Sequence, residues 1–133
     1  MSAVQKTNDS RQARSDATKN ALMRAAEKLI ARCGMENVSI SDIVVAAEQK
    51  NQSALQYHFT NLSGLIDAIL LTRSEQTHNR RAELIQTLLT ESDNPTVREI
   101  CMLMVYPAYS LARENPDYQC YIKAFGHQLM LSE

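Results

Sequence analysis

The sequence predicts an all-α protein, on two compositional facts and one pattern. Its 133 residues include only three Gly and three Pro, too few for the many turns of a β fold. Ala, Leu, Ile, Glu, Gln and Arg dominate, a helix-favouring mixture. Apolar residues then recur every three to four positions in six successive segments, the period of an amphipathic helix. The length fits one domain, or one small head joined to part of another. A hydrophobic content of 44% is ordinary for a folded chain and too high for disorder.

Taken in order, residues 1–15 have no apolar period and read as a flexible basic tail. From about Asp16, Leu22, Ala25, Ala26, Leu29 and Ile30 form one stripe of a first helix, which Gly34 is placed to end. Ser39 opens the second helix. Asp42 stands three residues on in capping-box spacing, and Val38 and Ile43 have the spacing of a hydrophobic staple. Ile40, Ile43, Val44 and Ala47 make its buried face. "EQKN" interrupts the pattern, and Asn51 can cap a third helix carrying Ala54, Leu55, Tyr57, His58 and Phe59. Leu29, Ile43, Leu55 and Phe59 are the expected core of this head.

Asn61 can cap a long fourth helix. Leu65, Ile66, Ile69 and Leu70 mark its apolar start and Leu84, Ile85, Leu88 and Leu89 its apolar end, with the polar "TRSEQTHNRRAE" between. Apolar at both ends and wet in the middle, it reads as a connector between two bodies. Asn94-Pro95 has cap-then-proline form and opens a fifth helix with Ile100, Leu103, Met104, Tyr106 and Leu111, kinked by Pro107. Tyr118, Tyr121, Ile122, Phe125 and Leu129 mark a sixth.

The net charge of −1 hides a gradient. Residues 1–60 hold eight Lys/Arg against six Asp/Glu, giving +2, and the remainder six against nine, giving −3. A basic head on an acidic body suits a polyanionic partner, although such a charge also fits an ordinary solvated face. Cys33, Cys101 and Cys120 are widely spaced, with neither a CxxC motif nor a neighbouring His pair. They read as reduced, mostly buried thiols, with no metal site and no disulfide framework. The polar N-terminus lacks a signal-peptide core, and no apolar run is long enough to span a bilayer. A cytoplasmic protein is expected. No G-x-S-x-G, P-loop, GxGxxG or HExxH occurs, so neither an enzyme nor a cofactor is expected.

Two short helices joined by a few residues, crossed by a longer first helix, have the layout of a helix-turn-helix unit, whose last helix enters the DNA major groove. With "ALMRAAEKLIARCGMENVSISDIVVAA", "SALQYHF" and "GLIDAIL", the stretch from Thr18 to Ile69 resembles the N-terminal domain of TetR-type transcriptional regulators. The resemblance implies three parts: a flexible tail over 1–15, a DNA-binding head over 16–62, and over 63–133 a connector helix with part of a ligand-binding and dimerisation body. It implies a repressor of transcription that binds double-stranded operator DNA, is released by a small apolar effector, and works as a homodimer where the C-terminal body is complete.

Carried over by position, Ser39 matches a phosphate-touching cap. Asn51, Gln52, Ser53 and Ala54 fall where base-edge and phosphate contacts begin, and Gln56, Tyr57 and His58 where the backbone is held. Leu55 and Phe59 match core positions. Tyr106, Tyr109, Tyr121 and Phe125 are candidate effector-lining residues, with ordinary core as the other reading. The chain departs from the family pattern in four places. Glu48 takes the usual turn glycine position, one extra residue lies between the second and third helices, Gln56 holds the usual Tyr position, and Leu62 stands where a phosphate-binding Lys is common. It also stops within the larger C-terminal body of the family, so it is either a fragment or a short variant that pairs through helices five and six. The alternative function is a helical adaptor that has lost DNA binding.

Overall fold

A computed structural model describes the backbone of residues 2–131 and the side chains of residues 7–127. Among these the chain is 86% helical in six helices, with no strand. It divides into two compact units, residues 1–69 and 70–133.

In the first unit, α1 (Ser2–Cys33) is followed by a 3-10 turn (Met35–Asn37), α2 (Ile40–Ala46), α3 (Ser53–Phe59) and the first turns of α4 (Leu62–Glu91). The expected flexible tail is instead the start of α1. No Gly or Pro occurs before Gly34, and extending a nucleated helix is far easier than starting one. An exposed Gln12–Asp16 bond of 3.0 Å, one turn apart, supports this stretch. Gly34, at φ +82°, ends the helix as expected, its N–H bonding the Ile30 carbonyl at 2.9 Å.

Leu22, Ala26, Ile43, Leu55, Leu65 and Ile69 are fully buried, with Ile30, Val44 and Phe59 beside them. Leu29, an expected core residue, is only half-buried, as is Ile40. The inward stripe of α1 follows residues 22, 26 and 30, which leaves Leu29 at its edge. Because Leu65 and Ile69 complete this core, the head runs past the expected boundary at residue 62.

The turns follow local chemistry. Ser39 and Asp42 form the reciprocal capping box, with the Asp42 N–H donating to Ser39 Oγ at 3.1 Å and the Ser39 N–H to Asp42 Oδ2 at 2.9 Å. After α2, the Gln49 N–H reaches the Val44 carbonyl (2.9 Å) and the Glu48 N–H that of Val45 (3.0 Å). These two bonds make a Schellman motif, and Glu48, at φ +56°, fills its left-handed position, where Gly is usual. Gln52 occupies the cap of α3 without a side-chain bond. Asn51, one residue earlier, accepts from both the N–H and the hydroxyl of Ser53. Asn61 caps α4, accepting from the Gly64 N–H at 2.8 Å.

Between α3 and α4, the Asn61 N–H bonds the Phe59 carbonyl at 2.8 Å across Thr60, which sits at φ +70°, ψ −51°. This is a γ-turn of the rare, strained hand, centred on a β-branched residue.

The second unit holds the rest of α4, α5 (Val97–Glu114) and α6 (Pro116–Leu131). The cap of α5 is Thr96 rather than Asn94. Thr96 and Glu99 satisfy two backbone donors reciprocally, which a lone Asn cannot do. The Asn-Pro signature operates at α6 instead, where Asn115 Oδ1 accepts from the Asp117 and Tyr118 N–H groups ahead of Pro116.

The polar middle of α4 is not the wet spacer expected. Arg73 is buried, its guanidinium 6.0 Å from the centre of the Tyr118 ring, and Thr77 Oγ1 lies 2.6 Å from the Tyr118 hydroxyl. Arg80 bonds Glu114 at 2.7 and 3.2 Å and Ser110 at 3.0 Å. Pro107 lies inside α5 and lacks the N–H that would serve the Leu103 carbonyl. Arg81 Nε donates to that carbonyl at 3.0 Å. Tyr118, Tyr121, Ala124 and Phe125 form the apolar core of this unit. The side chain of Leu129 lies outside the described residues.

Candidate nucleic-acid interface

α3 has two faces because seven residues at 3.6 per turn put Leu55 and Phe59 on one side, and both are buried. Gln52, Ser53, Gln56 and Tyr57 are then exposed on the other, with Ala54 and His58 half-buried at the margins. Tyr57 is 84% exposed, and its ring stands edge-on to His58 at 4.9 Å. An aromatic held this far into solvent contributes little to the core, whereas Phe59 is core, as expected.

His58 lies against the middle of α1. Burial pushes its pKa below the usual value and the Lys19 charge adds to this, while Asp16 opposes it. The imidazole is therefore predominantly neutral near pH 7, and a neutral ring bonds a phosphate less strongly than a charged one.

The remaining site residues are exposed but partly committed. The Ser39 hydroxyl donates to Asp42 Oδ2 at 2.6 Å, and the same bonds hold the Asp42 carboxyl below its ordinary pKa. A phosphate approaching Ser39 must compete with that carboxylate. Asn51 Oδ1 is held by Ser53, which rigidifies the start of α3. Two features went unread in the sequence. Lys50 is exposed in the turn, next to Asn51. Arg24, Lys28 and Arg32, spaced one turn apart on α1, line a groove of about 400 Å³ closed on its other side by Ala47 and Glu48. Their i, i+4, i+8 spacing was the available signal.

The four aromatics expected to line an effector pocket are not brought together. Tyr121 and Phe125 are core residues with ring centres 5.8 Å apart, while Tyr106 and Tyr109 are exposed. Tyr121 and Phe125 have been drawn inward by α6 packing, and Tyr106 and Tyr109 point off α5. The groove actually present in this unit, of about 340 Å³, is lined by Leu84, Leu88, Met102, Leu103 and Tyr106 among others. Among the described residues no group of three His, Cys, Asp or Glu could hold a metal ion, and no helix is long and apolar enough to cross a membrane. Cys33 and Cys101 are exposed and Cys120 is half-buried, which corrects the expectation of mostly buried thiols. Comparisons with protein-family models, with curated proteins and with solved structures find no match.

Proposed function

We propose that this chain is a sequence-specific, DNA-binding regulator of transcription, acting in the cytoplasm as a repressor released by a small apolar effector. The observation that carries the reading is the exposed polar face of α3, where Gln52, Ser53, Gln56 and Tyr57 stand opposite Leu55 and Phe59. A helix so divided is anchored from behind and can present amides to base edges, where Gln bonds adenine in two places. In this reading Gln52, Ser53 and Gln56 meet bases. Tyr57, Ser39, Arg11 and Arg14 meet phosphates, which position the head without reading sequence. One head covers one half-site, so a pair of copies is required for tight binding. The effector would occupy the α4–α5 groove beside Tyr106.

A second reading, a helical adaptor without DNA binding, is favoured by the carboxylates at both ends of α2, Asp42 in its first turn and Glu48 just after its last. A binding titration on a random-sequence duplex library at low and moderate salt separates the two. The DNA reading expects selected sequences. Gln52→Ala should relax preference at one base position by about 1–3 kcal/mol, and Arg11→Ala with Arg14→Ala should weaken all sequences alike. Absent or salt-insensitive binding by a helical protein would leave the adaptor.

A further inference from the structure

We propose that the groove between α1 and the end of α2 docks an acidic amphipathic helix from a partner protein. Ala21, Ala25, Leu29 and Ala46 make its floor, and Arg24, Lys28 and Arg32 stand along its α1 edge. A floor of alanines lets another helix axis come close. Leu29, left at the edge of the head's core, is its one large apolar contact. A second groove, of about 440 Å³, continues past Arg32, sharing Leu29 and Ala46 and adding Val38 and Val45. Val45 is 72% exposed, so packing within the head does not cover it. The two grooves follow α1 from Ala21 to Cys33, about 18 Å at 1.5 Å per residue, or three turns of a docked helix.

Charge decides the partner. Lys28 and Arg32 are exposed and form no ion pair with a described residue. They stand one turn apart, so Asp or Glu at i and i+4 of a docked helix can meet both, while its apolar stripe lies on the floor. Arg24 extends the row by one more turn. Glu48 lines the opposite side and disfavours an acid there, which fixes how the incoming helix is turned. A DNA duplex fits this surface poorly. Its phosphates gain nothing from an alanine floor, and Glu48 repels them, as does Asp42 in the second groove. The surface shares no residue with the exposed face of α3, so the inference stands whether or not that face reads DNA.

A displayed library of peptides of roughly 16 residues, long enough to form a helix, tests the proposal. Leu, Ala, Glu, Gln and Lys are varied at every position. Selection on the full chain should enrich peptides with an apolar stripe flanked by Glu at i and i+4. The affinity of a selected peptide should fall as salt rises. It should fall by about tenfold or more in Lys28→Glu, where like charges meet. Ala46→Gln, which fills the floor, should weaken binding as well. A peptide with Lys in place of Glu should prefer Lys28→Glu to wild type, and Lys123→Glu, in the second unit, should change nothing. Lys28 and Ala46 are exposed, so helical content and melting should match wild type. No enrichment of acidic peptides overturns the proposal, as does binding indifferent to Lys28→Glu or to Ala46→Gln. Two other occupants would overturn it too. Duplex affinity lost in Lys28→Glu, with no peptide bound, gives the groove to phosphates. Self-association abolished by Lys28→Glu gives it to a second copy.

Discussion

Gly64→Ala should destabilise the head, against the usual direction of that substitution in a helix. In most helices alanine is favoured over glycine by about 1 kcal/mol, largely because the unfolded chain has less backbone entropy to lose at alanine. Gly64 is different because of the γ-turn at Thr60. A Cβ there would lie 2.0 Å from the Phe59 carbonyl oxygen and 3.2 Å from its carbon, well inside contact distance. That oxygen is backbone, so it cannot swing aside. It accepts the Asn61 N–H, the Phe59 ring behind it is buried, and Asn61 in turn caps α4. Relief needs a shift of more than about 1 Å in either the turn or the first turn of α4, which breaks a cap worth roughly 1 kcal/mol and loosens Phe59 and Leu65 in the core.

The expected net loss is about 2–3 kcal/mol, within the range for backbone strain and loss of a cap. For a unit of this size it lowers Tm by about 10 °C or more. The assay is thermal unfolding followed by far-UV circular dichroism, with Gly126→Ala as the matched control. At Gly126 the nearest atom to a new Cβ is Ile122 Cγ2 at 3.6 Å, an ordinary contact, so the same substitution should raise stability by about 0.5–1 kcal/mol. A Gly64→Ala protein melting at or above wild type would refute the reasoning, since the γ-turn would then be free to move.

Glu48→Gly should stabilise the protein by about 1 kcal/mol by relieving a left-handed non-glycine residue, whereas Glu48→Gln should not; if Glu48 opposes DNA, both should tighten low-salt binding in a duplex titration. Arg81→Met should cost about 1–3 kcal/mol by stranding the Leu103 carbonyl, and less in a Pro107→Ala background, where a restored N–H can serve that carbonyl; a double-mutant cycle in denaturant measures the coupling. His58 has a folded pKa below its unfolded value near 6.5, so the unfolded chain takes up the proton first. Its contribution is therefore present above that pH and is lost as pH falls through the folded pKa. Melting temperature should drop on acidification from pH 7.5 to 5.5, and less steeply in His58→Gln.

Much of the candidate site was legible locally. The two faces of α3 follow from the spacing of Leu55 and Phe59, and the need for an unusual residue at Glu48 follows from the break after α2. The effector-lining set was not legible. An aromatic at helical spacing has the same signature whether it turns into a core, as Tyr121 and Phe125 do, or outward, as Tyr106 and Tyr109 do.

The sequence by itself determined the helical class, the capping box at Ser39, the ending at Gly34 and the cap at Asn61. Each depends on residues no more than four apart, which meet whatever the rest of the chain does. Tertiary structure decided what depends on distant partners. Ile30 rather than Leu29 points inward because α2 and α3 set the angle at which α1 is covered. Arg73, Arg80 and Arg81 turn the polar middle of α4 into a packed seam because Tyr118, Glu114 and the Leu103 carbonyl lie 22 to 45 residues further along the chain. Gly64 is required because two helices meet at a turn whose carbonyl occupies the space of its missing side chain, a clash that no residue-by-residue propensity contains.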